Sequence, residues 1–126
     1  MADKIRFRIY IDYKYYISVY VYDTVLAMHR DSKRIQGEKA DPGETSMVIW
    51  PGDYNGCICY MLFTWRFVQP HVVAHEAHHA AWKCCLKFGR AIDANAEEHI
   101  ARLIEKITRE ILQELAFRDK NWSYLK

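Results

Sequence analysis

From Lys4 to Ile11 polar and apolar residues largely alternate with a period of two, the pattern of a strand with one buried face. Tyr15 to Tyr22 (YYISVYVY) is rich in aromatic and β-branched side chains and predicts a second strand. Asp12-Tyr13-Lys14 can turn the chain between the two as a hairpin. The pattern then changes. Asp23 reads as the N-cap of a helix over Thr24 to Ile35, with Val25, Leu26, Met28 and Ile35 available for packing. Gln36 to Thr45 is a polar loop of turn residues. Ser46 to Trp50 is a short strand stopped by Pro51-Gly52, and Asn55-Gly56 signals a reversal. Cys57 to Phe67 is a mostly apolar run that predicts a fourth strand. Pro70 suits the first turn of a helix over His71 to Lys87, which Gly89 would end. Asp93 or Asn95 opens a last helix reaching Phe117, with Ile100, Ile104, Ile107, Ile111 and Leu115 as its apolar stripe.

The order strand, strand, helix, strand, strand, helix, helix is an α+β pattern. It predicts a small antiparallel or mixed sheet from the N-terminal half, packed on the last two helices. With 126 residues, no repeat and no low-complexity segment, residues 1–126 read as a single domain.

Composition narrows the function classes. Hydrophobic residues make up 51% and charged ones 27%, an ordinary globular mixture. The net charge of +2 comes without a clustered basic run, so neither a nucleic-acid nor a membrane partner is expected. Lys4, Arg6 and Arg8 alternate with Ile5, Phe7 and Ile9, as on the solvent face of a strand. The same charges interrupt any leader-like apolar run, and no stretch is long and apolar enough to span a bilayer. Of the four cysteines, Cys84 and Cys85 are adjacent, which ill suits a disulfide, and Cys57 and Cys59 share one face of a strand. Free core thiols in a reducing cytoplasm fit this usage. Nothing in the pattern speaks to oligomeric state.

The chemistry is concentrated in Val73 to Ala80, VAHEAHHA, which contains His75-Glu76-Ala77-His78-His79, an HExxH match. From six histidines and eight glutamates, chance would produce this match in roughly 2% of chains of this composition. Residues four apart on a helix stand one turn above each other, so His75 and His79 can share one zinc ion at about 2.0–2.1 Å each. Glu76 is turned about 100° from His75, placed to take a proton from a water acidified by the metal. Small residues (Ala74, Ala77, Ala80, Ala81) allow a second helix to come close. A catalytic zinc usually takes three protein ligands. The metzincin extension is excluded, because Trp82 and Cys85 stand where it needs glycine and histidine. The next donors are in Asn95-Ala96-Glu97-Glu98-His99, eighteen or nineteen residues after His79.

VAHEAHHA followed by NAEEHIARLI resembles the zincin-like metallopeptidases with a glutamate third ligand, the gluzincins. It looks most like short phage- and prophage-encoded members, in which HEAxHA precedes an Asp-Glu-Ala-type segment opening a hydrophobic helix. The resemblance covers about residues 72–107. It implies a zincin-like fold, a zinc cofactor and a peptide or protein substrate, in the host cytoplasm if the gene is phage-borne. It matches His75 and His79 to the metal histidines, Glu76 to the catalytic glutamate and Glu98 to the third ligand. This chain departs from the family at His99, where an alanine follows the ligand glutamate. A helical wheel keeps Glu97 open as the alternative. Glu97 falls near the stripe of Ile104 and Ile111, while Glu98 falls about 120° away, beside small Ala101.

Three other histidines and one strand complete the candidates. His71, four residues before His75, extends the same face; His78 lies on its flank; His99 neighbours the expected ligand. Cys57 to Phe63 is either an edge strand that could bind an extended peptide by strand addition or a buried central strand.

Overall fold

The structure, a computed structural model, describes residues 4–37, 41–50, 56–87 and 94–119. The chain divides into two compact units, Met1–Val68 and Gln69–Lys126.

The first unit is a four-stranded mixed sheet with one helix. Strand β1 (Lys4–Tyr10) pairs antiparallel with β2 (Tyr16–Tyr22). The hairpin is closed by Asp12, whose Oδ1 accepts from the backbone N–H groups of Lys14 (2.7 Å) and Tyr15 (2.9 Å). This is the local bonding that makes aspartate a turn residue. In β1 the period of two holds: Phe7 and Ile9 are buried, while Arg6, Arg8 and Tyr10 are exposed.

Helix α1 (Val25–Gln36) follows. Its N-cap is Thr24, one residue later than the pattern predicts with Asp23. Thr24 Oγ1 accepts from Ala27 N–H at 3.0 Å, the bond a cap must make to satisfy a free helical donor. Gly37 ends the helix at φ 77°, with its N–H bonded to Lys33 O. Only glycine adopts that left-handed conformation cheaply. Met28 packs inward beside Ala27, Met47, Ile49, Leu62 and Tyr22, whereas Leu26, expected in the packing, is exposed.

The sheet order is β1-β2-β4-β3. β4 (Cys57–Thr64) runs parallel to β2 and antiparallel to β3 (Ser46–Ile49). β4 is therefore a central strand, and every residue in it except Tyr60 is buried. The edge-strand reading of Cys57 to Phe63 is corrected: both rows of its backbone groups are already engaged, and strand addition cannot occur there. Of the predicted reversal, only Gly56 lies within the described residues; residues 53–55 lie outside them.

The second unit is a helix pair. Helix α2 (Pro70–Lys87) begins at its proline, as expected. Its buried positions (Val73, Glu76, Ala77, Ala80, Ala81, Cys84, Cys85) recur every three to four residues. Helix α3 (Ala94–Arg118) packs against it. The small α2 side chains allow close helix approach, and the α3 stripe is Ala96, Ile100, Leu103, Ile107, Ile111 and Leu115. Leu103 belongs to the stripe, while Ile104, expected in it, is half-buried. Four i,i+4 ion pairs lie along α3: Glu98–Arg102, Glu105–Arg109, Lys106–Glu110 and Glu114–Arg118. Each adds only about 0.3–0.5 kcal/mol, so the buried stripe, not the ion pairs, holds the helix in place. Gly89, the predicted helix end, lies outside the described residues. No described helix is long and apolar enough to cross a membrane.

Candidate metal centre

The HExxH turn lies in the middle of α2, where both flanking turns hold its backbone in register. His75 and His79 are exposed, on the helix face opposite buried Ala77. Glu76, between the two faces, is buried at 6% exposure. One ligand atom from each of His75, Glu76 and His79 lies within 4.8 Å of the other two. Two donors on one tetrahedral zinc stand about 3.4 Å apart, so modest side-chain rotations bring these atoms onto a single ion. The imidazole rings of His75 and His79 are 5.0 Å apart at their centroids and inclined by 80°, so they already share one side of the helix without stacking. Two imidazoles and a carboxylate are a donor set suited to zinc and to other borderline divalent ions. These residues can hold a metal ion.

The flanking histidine has a different fate. Trp82 Nε1 donates to His78 Nε2 at 3.1 Å, one helical turn on. That bond makes Nε2 of His78 the unprotonated nitrogen and occupies it. The His78 and His79 rings are 6.0 Å apart. Sequence pattern placed His78 beside the pair; its tie to Trp82 is a feature the pattern did not reveal, although the i,i+4 spacing of the two residues was there to see.

The remaining site expectations fall on α3. Neither Glu97 nor Glu98 joins the group of His75, Glu76 and His79 among the described residues. Both are exposed. Glu98 accepts from Arg102 Nε at 3.1 Å and lies on the side of α3 opposite the stripe of Ala96 and Ile100. Glu97 lies nearer that stripe's edge. His71 is exposed and His99 half-buried, and neither belongs to the group.

The cysteines are all free thiols and all buried. Among the described residues none of them joins a group of three metal-binding side chains. Burial pushes the Cys84 thiol up to about 12, with the neighbouring Cys85 adding to the effect. Such a thiol carries almost no thiolate near neutral pH, which makes it a poor nucleophile. No family model, curated protein or solved structure matches the chain.

Proposed function

We propose that the chain is a zinc-dependent hydrolase of zincin-like type, a metallopeptidase in which His75 and His79 hold the metal and Glu76 is the general base. The observation that carries this reading is the meeting of two imidazoles and a buried carboxylate on one helical turn. A zinc ion bound there would acidify a water to near neutral pH and polarise the carbonyl of a peptide. The chain's own groups do the rest. In this reading Glu76 stands beside the histidine pair and is not itself a ligand, so its carboxylate can accept a proton from that water and return it to the leaving amine. His75 and His79 remain open to solvent, so a substrate can approach from their side of α2. A glutamate from α3 completes the ligand set. Glu98 is the first choice by resemblance and Glu97 the alternative. Recruiting Glu98, which lies on the side of α3 opposite its buried stripe, requires α3 to turn about its axis as well as giving up the exposed pair with Arg102. The substrate is a peptide or protein, and the compartment a reducing cytoplasm, that of the host if the gene is phage-borne.

A second reading follows from the placement of Glu97 and Glu98 outside the group of three. In it, the metal is bound without turnover, and the domain acts through a protein partner, as an accessory module would. Metal analysis by mass spectrometry on untagged protein, with cleavage of a broad peptide library, separates the two. The first reading expects about one zinc per chain, zinc lost in His75→Ala and His79→Ala, and zinc retained without cleavage in Glu76→Gln. Full zinc occupancy without cleavage by the unmodified chain selects the second. A chain that binds no zinc refutes both.

A further inference from the structure

The exposed face of β1 is more than a row of solvated charges. The antiparallel register sets Lys4 opposite Tyr22, Arg6 opposite Tyr20, Arg8 opposite Ser18 and Tyr10 opposite Tyr16. All eight residues therefore lie on one face of the sheet, cations on one strand and mostly tyrosines on the next. The Arg8 guanidinium lies 4.1 Å from the centre of the Tyr16 ring and donates to the Tyr10 hydroxyl at 3.4 Å. Tyr10 packs on Tyr16 with ring centres 5.8 Å apart and is still 51% exposed. Between Arg6, Arg8, Ser18 and Tyr20 lies a surface pocket of about 380 Å³. A neighbouring pocket of about 260 Å³ continues along the same face, where Arg30 and Arg34 of α1 join Lys4 and Asp31.

The charge of this face is lopsided. The two pockets are lined by five cations (Lys4, Arg6, Arg8, Arg30, Arg34) and one carboxylate, Asp31. Asp31 is already shared by Lys4 and Arg34. Arg6, Arg8 and Arg30 are exposed and have no carboxylate partner among the described residues. The chain as a whole is only +2, so the acids that balance it lie elsewhere. Guanidiniums without carboxylate partners beside an exposed tyrosine ring, Tyr10, are the two components that single strands require. Cations track the phosphates, and ring faces stack on bases that a duplex would keep hidden. We infer that this face binds single-stranded nucleic acid, with Arg6, Arg8 and Arg30 on phosphates and Tyr10, backed by Tyr16, as the stacking platform. The site belongs to the first unit alone and owes nothing to the histidines of α2.

The test is fluorescence anisotropy with a labelled single-stranded oligonucleotide of about ten nucleotides, a duplex of the same sequence, and heparin as a polyanion without bases. The expected result is binding of the single strand ahead of the duplex. Arg6→Ala/Arg8→Ala should weaken binding by roughly tenfold or more and flatten the salt dependence by about one to two units of log–log slope. Tyr10→Ala should weaken the oligonucleotide by about tenfold and leave heparin unchanged. His75→Ala/His79→Ala should bind as the unmodified chain does. All substituted residues in the β1 set are exposed, so circular dichroism should show these variants folded. The inference is overturned if the single strand does not bind at low salt, which leaves the charges as protection of an edge strand. It is also overturned by equal or preferred binding of the duplex, or by an equal loss of heparin and oligonucleotide in Tyr10→Ala.

Discussion

Asp31 is the polar hub of the first unit, and its removal is the most calculable perturbation in the chain. Its Oδ2 accepts from Lys4 Nζ at 2.5 Å and from the Tyr22 hydroxyl at 2.5 Å, while its Oδ1 accepts from Arg34. Tyr22 is only 1% exposed, so its hydroxyl has no recourse to water. The bond from that hydroxyl to a charged acceptor is worth about 1.5–3 kcal/mol. Arg34 is exposed and stands at i,i+3, so solvent screens its pair and it adds little. The Lys4 pair is partly buried and contributes about 1 kcal/mol. Asp31→Ala should therefore cost about 3 kcal/mol, lowering the thermal midpoint by roughly 10 °C. Asp31→Asn keeps an acceptor for Tyr22 and should cost about half as much.

The effect must depend on pH in a definite direction. Burial alone would raise the Asp31 carboxyl, but hydrogen bonds from Lys4, Tyr22 and Arg34 outweigh it and hold the group below the usual carboxylate range. A carboxyl depressed in the folded state contributes stability that is fully present above its unfolded value of about 3.9. That stability is lost as pH falls through the lower, folded value. Urea unfolding of the unmodified chain and Asp31→Asn should thus show a gap at pH 7 that narrows as the pH falls from about 4 towards 2. Equal stability of the two proteins at pH 7, or a gap indifferent to pH, refutes the hub.

Gly56→Ala should destabilise the first unit by about 2 kcal/mol or more in urea unfolding, because a Cβ there meets Lys14 O at 2.4 Å and φ is +80°. Ala77→Leu or Ala80→Leu, at fully buried positions of α2, should cost about 1–3 kcal/mol by overpacking, read as a lower thermal midpoint. His79→Ala should leave the metal-free protein within about 0.5 kcal/mol of the unmodified chain, since the side chain is exposed, and should remove its stabilisation by added zinc. The four buried thiols should resist a thiol reagent in the native state and react together on unfolding; fast native labelling of any one would contradict its burial.

Local rules were legible along the chain wherever a residue answers to its own neighbours. The α2 boundary at Pro70 and the Asp12 turn follow from bonds made within a few residues. The near miss at the α1 cap shows the limit of that legibility. Asp23 and Thr24 both suit a cap, and only backbone geometry puts the Thr24 oxygen, not the Asp23 one, within reach of a free N–H. In α3 the inward face was readable, since Ile100, Ile107, Ile111 and Leu115 of the predicted stripe are buried, but its edge was not, because Ile104 is only half-buried and Leu103 is buried instead. Leu103 and Ile104 are equally apolar, and packing on α2 selects one of them. The same choice governs the candidate site, since the inward face of α3 determines where Glu97 and Glu98 stand.

By itself the sequence determined which side chains share a helical turn, and so it brought His75, Glu76 and His79 together before any fold was considered. A period of 3.6 residues is enough for that, because the distances involved are local. Tertiary structure alone decided that β4 is central, since strand order depends on pairing between segments far apart in the chain. It alone set Tyr16 and Tyr20 beside Arg8 and Arg6, and added the arginines of α1 to the same face. Alternation announced a solvent-facing row of charges, but only strand register could say what lies next to it.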